Sequence, residues 1–445
     1  MENARNTADA IVVGGGSVGL HTAASLYEKM GKNTRILATT QESEWGGIAG
    51  RSLEQYRMFN DSYALAEIVG KGIDTYRRLD EELRERGVSE HAYENFPYIF
   101  TVGDKQRPEH IRDILPATTP ERPDMSYYQK LRLDTESWGF NPGAEIVGSD
   151  ELRQRYPLLD GNGIDSAMIV HNAGRLHFDV MKSWLMDRSR TDGDGTGVQY
   201  RARKVARRIL LDKGGRAIGV DFGDEKIYSD TIVLAIGAFA LKLPDILPGD
   251  ESERIAGNFT ITQRELFFAQ TPGVQDTNFF LISPDMAIAR LSTREGHASY
   301  GYAADDDPVI DSPTTDPRPN DSFVDDLQID RKSLFVGRTY SLFAECSSRW
   351  DADAYDANRS NLAVEPFGHS AGYYSAYRDD LPVVGPIGDT GVILAAGSHH
   401  SGIMGGQGIA ELVIDHALGQ NNLSEITHQQ TDINRVPVKH TGLVL

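Results

Sequence analysis

One stretch near the N-terminus decides the fold: residues 9–20 read DAIVVGGGSVGL. A β-branched apolar run leads into three glycines with GxGxxG spacing, at Gly14, Gly16 and Gly19. Apolar side chains then recur at helical spacing, and the run TRILA at 34–38 predicts a second strand. Strand, glycine turn, helix and strand form the first half of a dinucleotide-binding unit, which indicates an α/β fold.

The glycine turn has the chemistry of a pyrophosphate site. Gly14 permits the tight turn, Gly16 lets the backbone approach a ligand, and Gly19 lets the helix pack closely on the strand. Ser17 and Val18 open the helix, where unpaired N–H groups and the helix dipole favour an anion. We therefore predict that these five residues contact a bound dinucleotide.

The acid that usually binds the ribose is missing from its usual place. Dinucleotide sites place Asp or Glu about 20 residues after the glycine turn. Here the second strand ends in LATTQ, at 37–41, with no acid. We expect Thr39, Thr40 or Gln41 to supply a neutral hydroxyl or amide contact instead.

Composition and charge exclude several function classes. The 445 residues include 45 Lys and Arg against 65 Asp and Glu, so the formal charge is −20, which disfavours nucleic acids and anionic membranes as partners. A lone cysteine, Cys346, excludes an intramolecular disulfide framework and Cys-rich metal centres. There is no secretory leader pattern and no apolar run of the roughly 18 residues that a spanning helix needs. We expect a soluble, cytoplasmic protein.

The rest of the chain alternates predicted helices and strands. Helices are predicted over 61–86, after His177 and over 409–418. Antiparallel strands joined by turns are predicted at 197–205, 208–211, 217–221 and 226–228. Two buried strands that stop at glycine are predicted at 231–236 and 392–396.

Five segments, in order along the chain, resemble the D-amino-acid oxidase and sarcosine/glycine oxidase family of FAD-dependent oxidoreductases. They are DAIVVGGGSVGL at 9–20, GGIAGRSLEQYR at 46–57, ARKVARRILLDKGGRAIGV at 202–220, TIVLAIGAFA at 231–240 and DDLPVVGPIGDTGVILAAGSHHSGIMGGQG at 379–408. The last is the most specific, because it joins an Asp–x–Pro–x–x–Gly–Pro run to a late strand and a glycine-rich turn. Residues 244–365 match the family only in outline.

The resemblance implies a discontinuous two-domain architecture. A Rossmann-like FAD-binding domain would combine residues 1–85, 150–243 and 366–445. A second, mixed β-sheet substrate domain would combine residues 86–149 and 244–365. The fold class is α/β, or α+β when both domains are considered.

The resemblance also implies which segments hold FAD. Residues 46–52 would line the flavin, Val205 would contact the adenine, and the last glycine turn would place its N–H groups against the pyrimidine end of the flavin. The implied cofactor contacts are Gly46, Gly47, Ile48, Gly50, Arg51, Ser52, Val205, Ala235, Gly237, Gly402, Ile403, Met404 and Gly405.

Three positions depart from the family pattern. Gly372 stands where sarcosine oxidases attach flavin through a cysteine, and Cys346 lies too far upstream to replace it, so we expect noncovalent FAD. Ser299 stands where a lysine assists oxygen reduction, and Met404 where another lysine lies near the flavin. These missing cations put a fast reaction with oxygen in doubt.

Arginine, tyrosine and histidine side chains are the candidates for the substrate site. Arg57 matches the family's carboxylate-binding arginine and could form two parallel hydrogen bonds, although a structural ion pair would also explain it. Arg290 is the alternative anchor. Tyr374 and Tyr300 would close the pocket, or simply pack there.

His399 and His400 lie in the glycine-rich turn, where a histidine could act as a base or orient substrate. The alternative is a loop histidine bonded to backbone. No acid or third histidine has metal-ligand spacing nearby, so no metal is predicted. The GxSxG match at 368–372 lacks the following helix that a hydrolase nucleophile needs.

The sequence therefore predicts FAD-dependent oxidation of a C–N bond in a small amine or amino-acid-like substrate. Hydride would pass to flavin N5, and the imine would be hydrolysed. One alternative is a flavin dehydrogenase or specialised-metabolite oxidase that acts on a larger substrate. Another is a catalytically degenerate FAD-binding protein. The oligomeric state stays open.

Overall fold

The computed structural model describes most of the chain. The described residues are 6–43, 45–47, 49, 54–103, 125–159, 164–191, 195–270, 278–282, 287–292, 297–302, 309–314, 323–324, 329–330 and 368–437.

Strands occur throughout the described residues. Those of the first half are β1 (Ala10–Val13), β2 (Arg35–Thr39), β3 (Gln55–Arg57), β4 (Tyr93–Asn95), β5 (Tyr98–Gly103), β6 (Ala144–Gly148), β7 (Ile164–Val170), β8 (Ala173–Leu176), β9 (Gly197–Arg201), β10 (Arg208–Leu211) and β11 (Ala217–Asp221). Those that follow are β12 (Lys226–Tyr228), β13 (Ile232–Leu234), β14 (Phe259–Gln270), β15 (Asn278–Ile282), β16 (Ala287–Ser292), β17 (His297–Tyr302), β18 (Phe323–Val324), β19 (Ile329–Asp330), β20 (Gly368–Tyr377), β21 (Val383–Pro386) and β22 (Val392–Ala396).

The described α-helices are α1 (Ser17–Met30), α2 (Tyr63–Glu85), α3 (Met125–Ser137), α4 (Ser149–Arg155), α5 (Phe178–Ser189), α6 (Leu243–Ile246), α7 (Asp250–Ala256), α8 (Gly406–Leu418) and α9 (Glu425–Thr431). Short 3-10 turns span Pro157–Leu159, Gly237–Lys242 and Gly388–Thr390. Within the described parts of the chain, none of the helices combines the length and the apolar character needed to cross a bilayer.

A six-stranded sheet forms the centre of the cofactor-binding half. Its order is β21-β22-β13-β1-β2-β9, and every neighbouring pair is parallel except β21 with β22. All four residues of β1 are buried, as expected for a parallel strand that is covered on both faces. Helices α1 and α8 pack on one face, and the small sheet β10-β11-β12 packs on the other. The predicted strand–turn–helix–strand unit is therefore confirmed.

One predicted pairing is wrong. The run at 197–205 was expected to form an antiparallel strand with its sequence neighbours. Its first part, β9, pairs instead in parallel with β2, from Arg35 opposite Gly197 to Thr39 opposite Arg201. The physical reason is the long connection between β2 and β9, because a parallel pair needs a crossover of a dozen or more residues. Local sequence predicts a strand but does not specify its distant partner.

An eight-stranded sheet, β20-β14-β17-β16-β15-β5-β7-β6, forms the second large layer. Its pairs are antiparallel except β15 with β5, so the expected mixed sheet is present. Strands β7 and β20 belong to this sheet, and Ser370 of the GxSxG match lies within β20, where no helix follows it. The division of the chain into two domains stays a prediction.

Helices α2 and α8 meet at glycines next to the last glycine turn. A Cβ added to Gly72 of α2 would lie 1.7 Å from the Met404 carbonyl oxygen. A Cβ added to Gly408 of α8 would lie 2.4 Å from the Ile68 carbonyl oxygen. These contacts leave no room for a methyl group, so glycine holds α2 against the turn that precedes α8.

The change Gly72→Ala tests this contact. We expect it to destabilise the protein by roughly 1–3 kcal/mol, because the added carbon overlaps backbone that cannot move cheaply. The matched control is Gly70→Ala on the same helix, where the nearest atoms to an added Cβ are side-chain carbons 3.6 Å away. The Gly70→Ala variant should be more stable than the wild type by up to about 1 kcal/mol, because alanine has a higher helix propensity than glycine. Urea denaturation of both variants measures the difference, and equal midpoints would contradict this account.

Candidate functional site

A crevice of about 500 Å³ runs along the carboxyl ends of the parallel strands. Its wall includes the last residues of β1, β2 and β22 and the residues that follow β13. This is the usual ligand position in an open parallel sheet. The wall consists of residues 13–18, 39–42, 47, 49, 204–207, 235–239, 242, 245, 246, 373–375, 395, 396, 398–400, 402, 403 and 409.

The glycine turn is fixed tightly against the neighbouring strand. Gly14 has φ +129°, and a Cβ there would lie 2.0 Å from the Ala235 carbonyl oxygen, so only glycine fits. A Cβ on Gly19 would lie 1.9 Å from the Gly14 carbonyl oxygen. Helix α1 begins beyond Gly16 without a side-chain cap. The open end of α1 therefore faces the crevice and offers its N–H groups to an anion.

A second helix begins at the same crevice. Helix α8 follows Gly405, which likewise provides no side-chain cap. The turn before it contributes Gly402 and Ile403 to the wall. Two uncapped helix N-termini thus lie at one elongated crevice, which suits a ligand with negative charge at separate places.

Most of the predicted contact residues lie on the crevice wall. They are Gly14, Gly16, Ser17, Val18, Thr39, Thr40, Gln41, Gly47, Val205, Ala235, Gly237, Tyr374, His399, His400, Gly402 and Ile403. The predicted residues that lie off the wall are Gly19, Gly46, Arg57, Met404 and Gly405. Ile48, Gly50, Arg51, Ser52 and Cys346, together with the side chains of Arg290, Ser299 and Tyr300, lie outside the described residues.

Four of the residues that lie off the wall contact the segments that form it. Gly19 packs on the glycine turn, and the Gly46 N–H donates to the Gly15 carbonyl at 2.8 Å. Gly405 donates its N–H to the Ser401 carbonyl at 2.7 Å. Met404 is buried, and its carbonyl oxygen contacts α2.

Glu42 is a wall residue that was not predicted. It lies three residues beyond the end of β2, and its N–H donates to Thr40 Oγ1 at 3.3 Å. The sequence prediction for the ribose contact covered residues only as far as Gln41. The sequence does place an acid just beyond the end of β2, and the loop 40–42 brings Glu42 back to the crevice. Nearby, the buried hydroxyls of Ser17 and Thr39 have no hydrogen-bond partner among the described residues.

Three cations on the wall were also not predicted. They are Lys204, Arg207 and Lys242. Hydrogen bonds to Asp224 and Glu225 raise the pKa of Lys204, which keeps it charged. Its Nζ lies 2.8 Å from Glu225 Oε1. Because Lys204 is already paired with two carboxylates, Arg207 and Lys242 are the wall cations that could pair with an anionic ligand in a chain of charge −20.

His399 and His400 share a short contact at the wall. Their Nδ1 atoms lie 3.2 Å apart, and the His399 ring meets Tyr374 edge-on with centroids 5.4 Å apart. The His399 Nδ1 also lies 3.9 Å from Asp380 Oδ1. The His399 side chain is only 5% exposed. A proton-accepting group is therefore held at the crevice in a largely buried position.

Arg57 is a buried cation that lies behind the wall. It is 7% exposed, and its Nε–H donates to the Phe59 carbonyl at 3.2 Å. Burial raises the pKa of Tyr98, and the charge of Arg57 opposes that rise while the nearby Tyr374 adds to it. Arg57 and the wall residue Tyr374 are therefore both near Tyr98. Among the described residues, no carboxylate lies within 4.0 Å of the guanidinium.

His21 links α1 to α8 beneath the crevice. Its Nδ1 lies 3.1 Å from Gln407 Oε1, and because a carbonyl oxygen only accepts, Nδ1 carries the proton. Its Nε2 has no hydrogen-bond partner in the part of the chain that the structure describes. Burial lowers the pKa of His21 to about 4, although the Gln407 hydrogen bond opposes this shift. A neutral histidine therefore lies between the two helices.

The geometry fits a dinucleotide that carries a diphosphate. The crevice offers two open helix ends, unpartnered hydroxyls of Ser17 and Thr39, and a carboxylate at the end of the second strand. A Cβ on Gly15 would lie 2.4 Å from Thr40 Cβ, so the backbone itself shapes the crevice. FAD fits this set of donors and acceptors, and the crevice lies where such a cofactor binds in this class of sheet.

The sequence matches the family described as DAO, FAD dependent oxidoreductase, over residues 9–416. This match spans nearly the whole chain and confirms the resemblance drawn from the five segments. No curated protein sequence matches the chain.

Solved structures share the fold over almost their full length. L-proline dehydrogenase from P. horikoshii superposes with a TM-score of 0.69 at 15% identity, covering 96% of this chain and 97% of that one. Glycine oxidase from Geobacillus kaustophilus gives 0.68 at 15% identity, covering 97% and 99%. Iminodiacetate oxidase from Chelativorans sp. BNC1 gives 0.61 at 15% identity, covering 95% and 98%. These similarities confirm the predicted fold class.

The change His21→Gln tests the buried histidine through the pH dependence of stability. The folded pKa of about 4 lies below the ordinary value of 6.5, so the unfolded chain takes up a proton that the folded chain refuses. Stability is therefore lost as the pH falls from 6.5 toward 4. Protonation of this single group in the unfolded chain should lower the free energy of unfolding of the wild type by about 2 kcal/mol when the pH falls from 7 to 5.

Urea denaturation at pH 7 and pH 5 measures this loss. The His21→Gln variant should lose about 2 kcal/mol less than the wild type over this interval, whatever its stability at pH 7. The same loss in both proteins would show that His21 is not buried in its neutral form.

Proposed function

The chain belongs to the DAO family of FAD-dependent oxidoreductases, and from this premise we propose that it oxidises a C–N bond in an amine or amino-acid-like substrate. The observation that carries the proposal is Arg57, a buried cation with no carboxylate partner among the described residues, close to the crevice. A buried charge needs a counter-charge, and a substrate carboxylate would supply one.

FAD would lie along the crevice, held without a covalent bond. The N-terminus of α1 would hold the diphosphate, and Glu42 would accept hydrogen bonds from the ribose hydroxyls. Val205 would contact the adenine, and the turn at 402–403 would lie against the flavin. Gly372 offers no side chain for attachment, which supports release of intact FAD on acid denaturation.

The proposed chemistry needs few side chains. FAD, when bound, supplies a hydride acceptor at flavin N5 for the hydrogen on the carbon beside nitrogen. The substrate nitrogen must first be neutral, because its lone pair forms the C=N bond as the C–H bond breaks. His399 or His400 would take the proton of a protonated amine. Water then adds to the imine, which yields a carbonyl compound and an amine or ammonia.

The closest alternative is a dehydrogenase that passes electrons to an acceptor other than oxygen. Met404 occupies a family lysine position, and it is buried and off the wall, so no cation is provided from this position. Peroxide release in air with a true substrate would favour an oxidase. Reduced protein that is reoxidised by a quinone or dye but not by air would favour the dehydrogenase.

The proposed function is tested by mixing the FAD-loaded protein anaerobically with amino acids and secondary amines. We expect at least one amine that carries a carboxylate to bleach the flavin absorbance and to yield a carbonyl product. A purified protein with no flavin absorbance, and none after incubation with FAD, would overturn the proposal. So would a flavin that no amine reduces.

The change Arg57→Met tests the carboxylate anchor. Loss of a charged, paired hydrogen bond should weaken substrate binding roughly 10- to 100-fold. The Arg57→Lys variant should bind substrate more tightly than Arg57→Met but more weakly than the wild type, because lysine keeps the charge but loses the forked geometry. The control is the substrate's own analogue without the carboxylate, whose flavin reduction Arg57→Met should leave almost unchanged. An equal effect on both compounds would show that Arg57 has a structural role only.

The change Glu42→Gln tests the acid found at the end of the second strand. We expect the Kd for FAD to rise roughly tenfold, because a neutral amide accepts ribose hydrogen bonds less strongly than a carboxylate. Fluorescence quenching of FAD during titration of the apoprotein measures it. The matched control is Glu28→Gln, which removes the same charge from an exposed position on α1. Identical affinities in both variants would exclude Glu42 from the cofactor site.

A further inference from the structure

We propose that Asp380 is a positioning residue that fixes the proton of the His399–His400 pair and makes His399 the proton acceptor at the crevice. This inference deepens the proposed function and rests on it. Asp380 lies on the turn between β20 and β21, outside the crevice wall, and its Oδ1 lies 3.9 Å from His399 Nδ1.

The two imidazoles share one proton at their Nδ1 atoms. At 3.2 Å, the contact between His399 Nδ1 and His400 Nδ1 requires one N–H donor and one bare acceptor. Two bare nitrogens would repel through their lone pairs, and two N–H groups would clash. The pair therefore has two possible arrangements, and a neighbouring charge selects between them.

Asp380 supplies that charge on the side of His399. Its Oδ1 lies 3.9 Å from His399 Nδ1, too far for a direct hydrogen bond but close enough for a strong electrostatic effect or a bridging water. A negative charge there favours the proton on His399 Nδ1. His399 Nε2 is then the bare nitrogen of a ring on the crevice wall, able to accept a proton from a substrate ammonium group. The resulting imidazolium would lie beside the carboxylate.

The backbone angles of Asp380 and His399 also support a functional role for this pair. Asp380 has φ +58° and His399 has φ +43°, both in the left-handed region that glycine adopts more cheaply. The Asp380 N–H donates to the Tyr377 carbonyl, and the His399 N–H donates to the Ser375 carbonyl, each at 2.9 Å. Two residues with side chains in this backbone region, whose side chains lie 3.9 Å apart, indicate a selected geometry.

A buried ion pair holds the turn that carries Asp380. Arg435 Nε donates to Asp379 Oδ2 at 2.9 Å, and its second nitrogen donates to Asp379 Oδ1 at 2.6 Å and to the Leu381 carbonyl at 3.0 Å. The residues on both sides of Asp380 are therefore fixed from the C-terminal segment. The Asp380 side chain itself is 43% exposed, and its backbone lies between these two fixed residues.

Three described side chains lie at a defined distance from His399. They are Asp380 on the turn, His400 on the same loop and Tyr374 on β20. Of these three side chains, only Asp380 is an acid, so the change Asp380→Asn removes a carboxylate and leaves the two neighbouring rings in place.

The test is the change Asp380→Asn in the FAD-loaded enzyme labelled with 13C at histidine Cε1. Asparagine has the same shape and tolerates the left-handed backbone, but it has no charge. Titration by NMR should show the His399 pKa lowered by about one unit, since a nearby opposite charge favours the protonated form. The His399→Gln variant identifies the resonance.

Two further variants keep the result interpretable. Asp380→Gly removes the carboxylate and relaxes the backbone, so it should show the same shift even if the asparagine packs badly. Asp389→Asn removes the same charge from an exposed position further along the segment and should leave the titration unchanged. In Asp380→Asn, the acidic limb of the pH profile for flavin reduction should move to lower pH by the same amount.

An unchanged His399 titration in both Asp380 variants would overturn the proposal. Because the titration needs no substrate, this outcome is distinct from failure of the proposed function. If the shift is present and no amine reduces the flavin, the positioning of His399 by Asp380 stands and amine oxidation does not.

Discussion

The structure depends on the close approach of backbone to backbone at glycine. Gly14 lies against the strand that ends at Ala235, Gly19 lies against Gly14, and Gly72 lies against the turn before α8. Each contact brings a helix nearer to its neighbour than any side chain would allow. The result is that α1 and α8 begin at the same crevice, with N-termini that no side chain caps. An anionic cofactor is the natural partner for two such helix ends.

This arrangement explains how a strongly acidic chain can bind a negatively charged cofactor. Net charge governs long-range attraction, whereas a site works through the groups within a few ångströms. The crevice supplies helix N–H groups, the buried hydroxyls of Ser17 and Thr39, and the cations Arg207 and Lys242 on its wall. Two acids, Glu42 and Asp245, also lie on the wall.

On the proposed substrate side of the crevice, the important groups are side chains and not helix ends. Arg57 is held among tyrosines behind the wall, and His399 is held on the wall by a strained turn. The first group is suited to a carboxylate and the second to a proton. These two groups are the basis of the proposal that the substrate carries both an acid and an amine, within a family of FAD-dependent oxidoreductases. Tyr98 and Tyr374 both belong to the eight-stranded sheet, and Arg57 and Tyr374 both act electrostatically on Tyr98.

Local sequence patterns were sufficient to predict the first secondary-structure elements and the cofactor-binding turn. Residues 9–39 predict the strand, turn, helix and strand correctly, because glycine spacing and apolar periodicity act over a few neighbouring residues. The parallel partner of β9 and the return of Glu42 to the crevice could not be predicted in this way. Both depend on contacts between segments far apart in sequence. The pairing of Asp380 with His399 has the same origin, since it arises only when the turn and the loop are brought together by the folded chain.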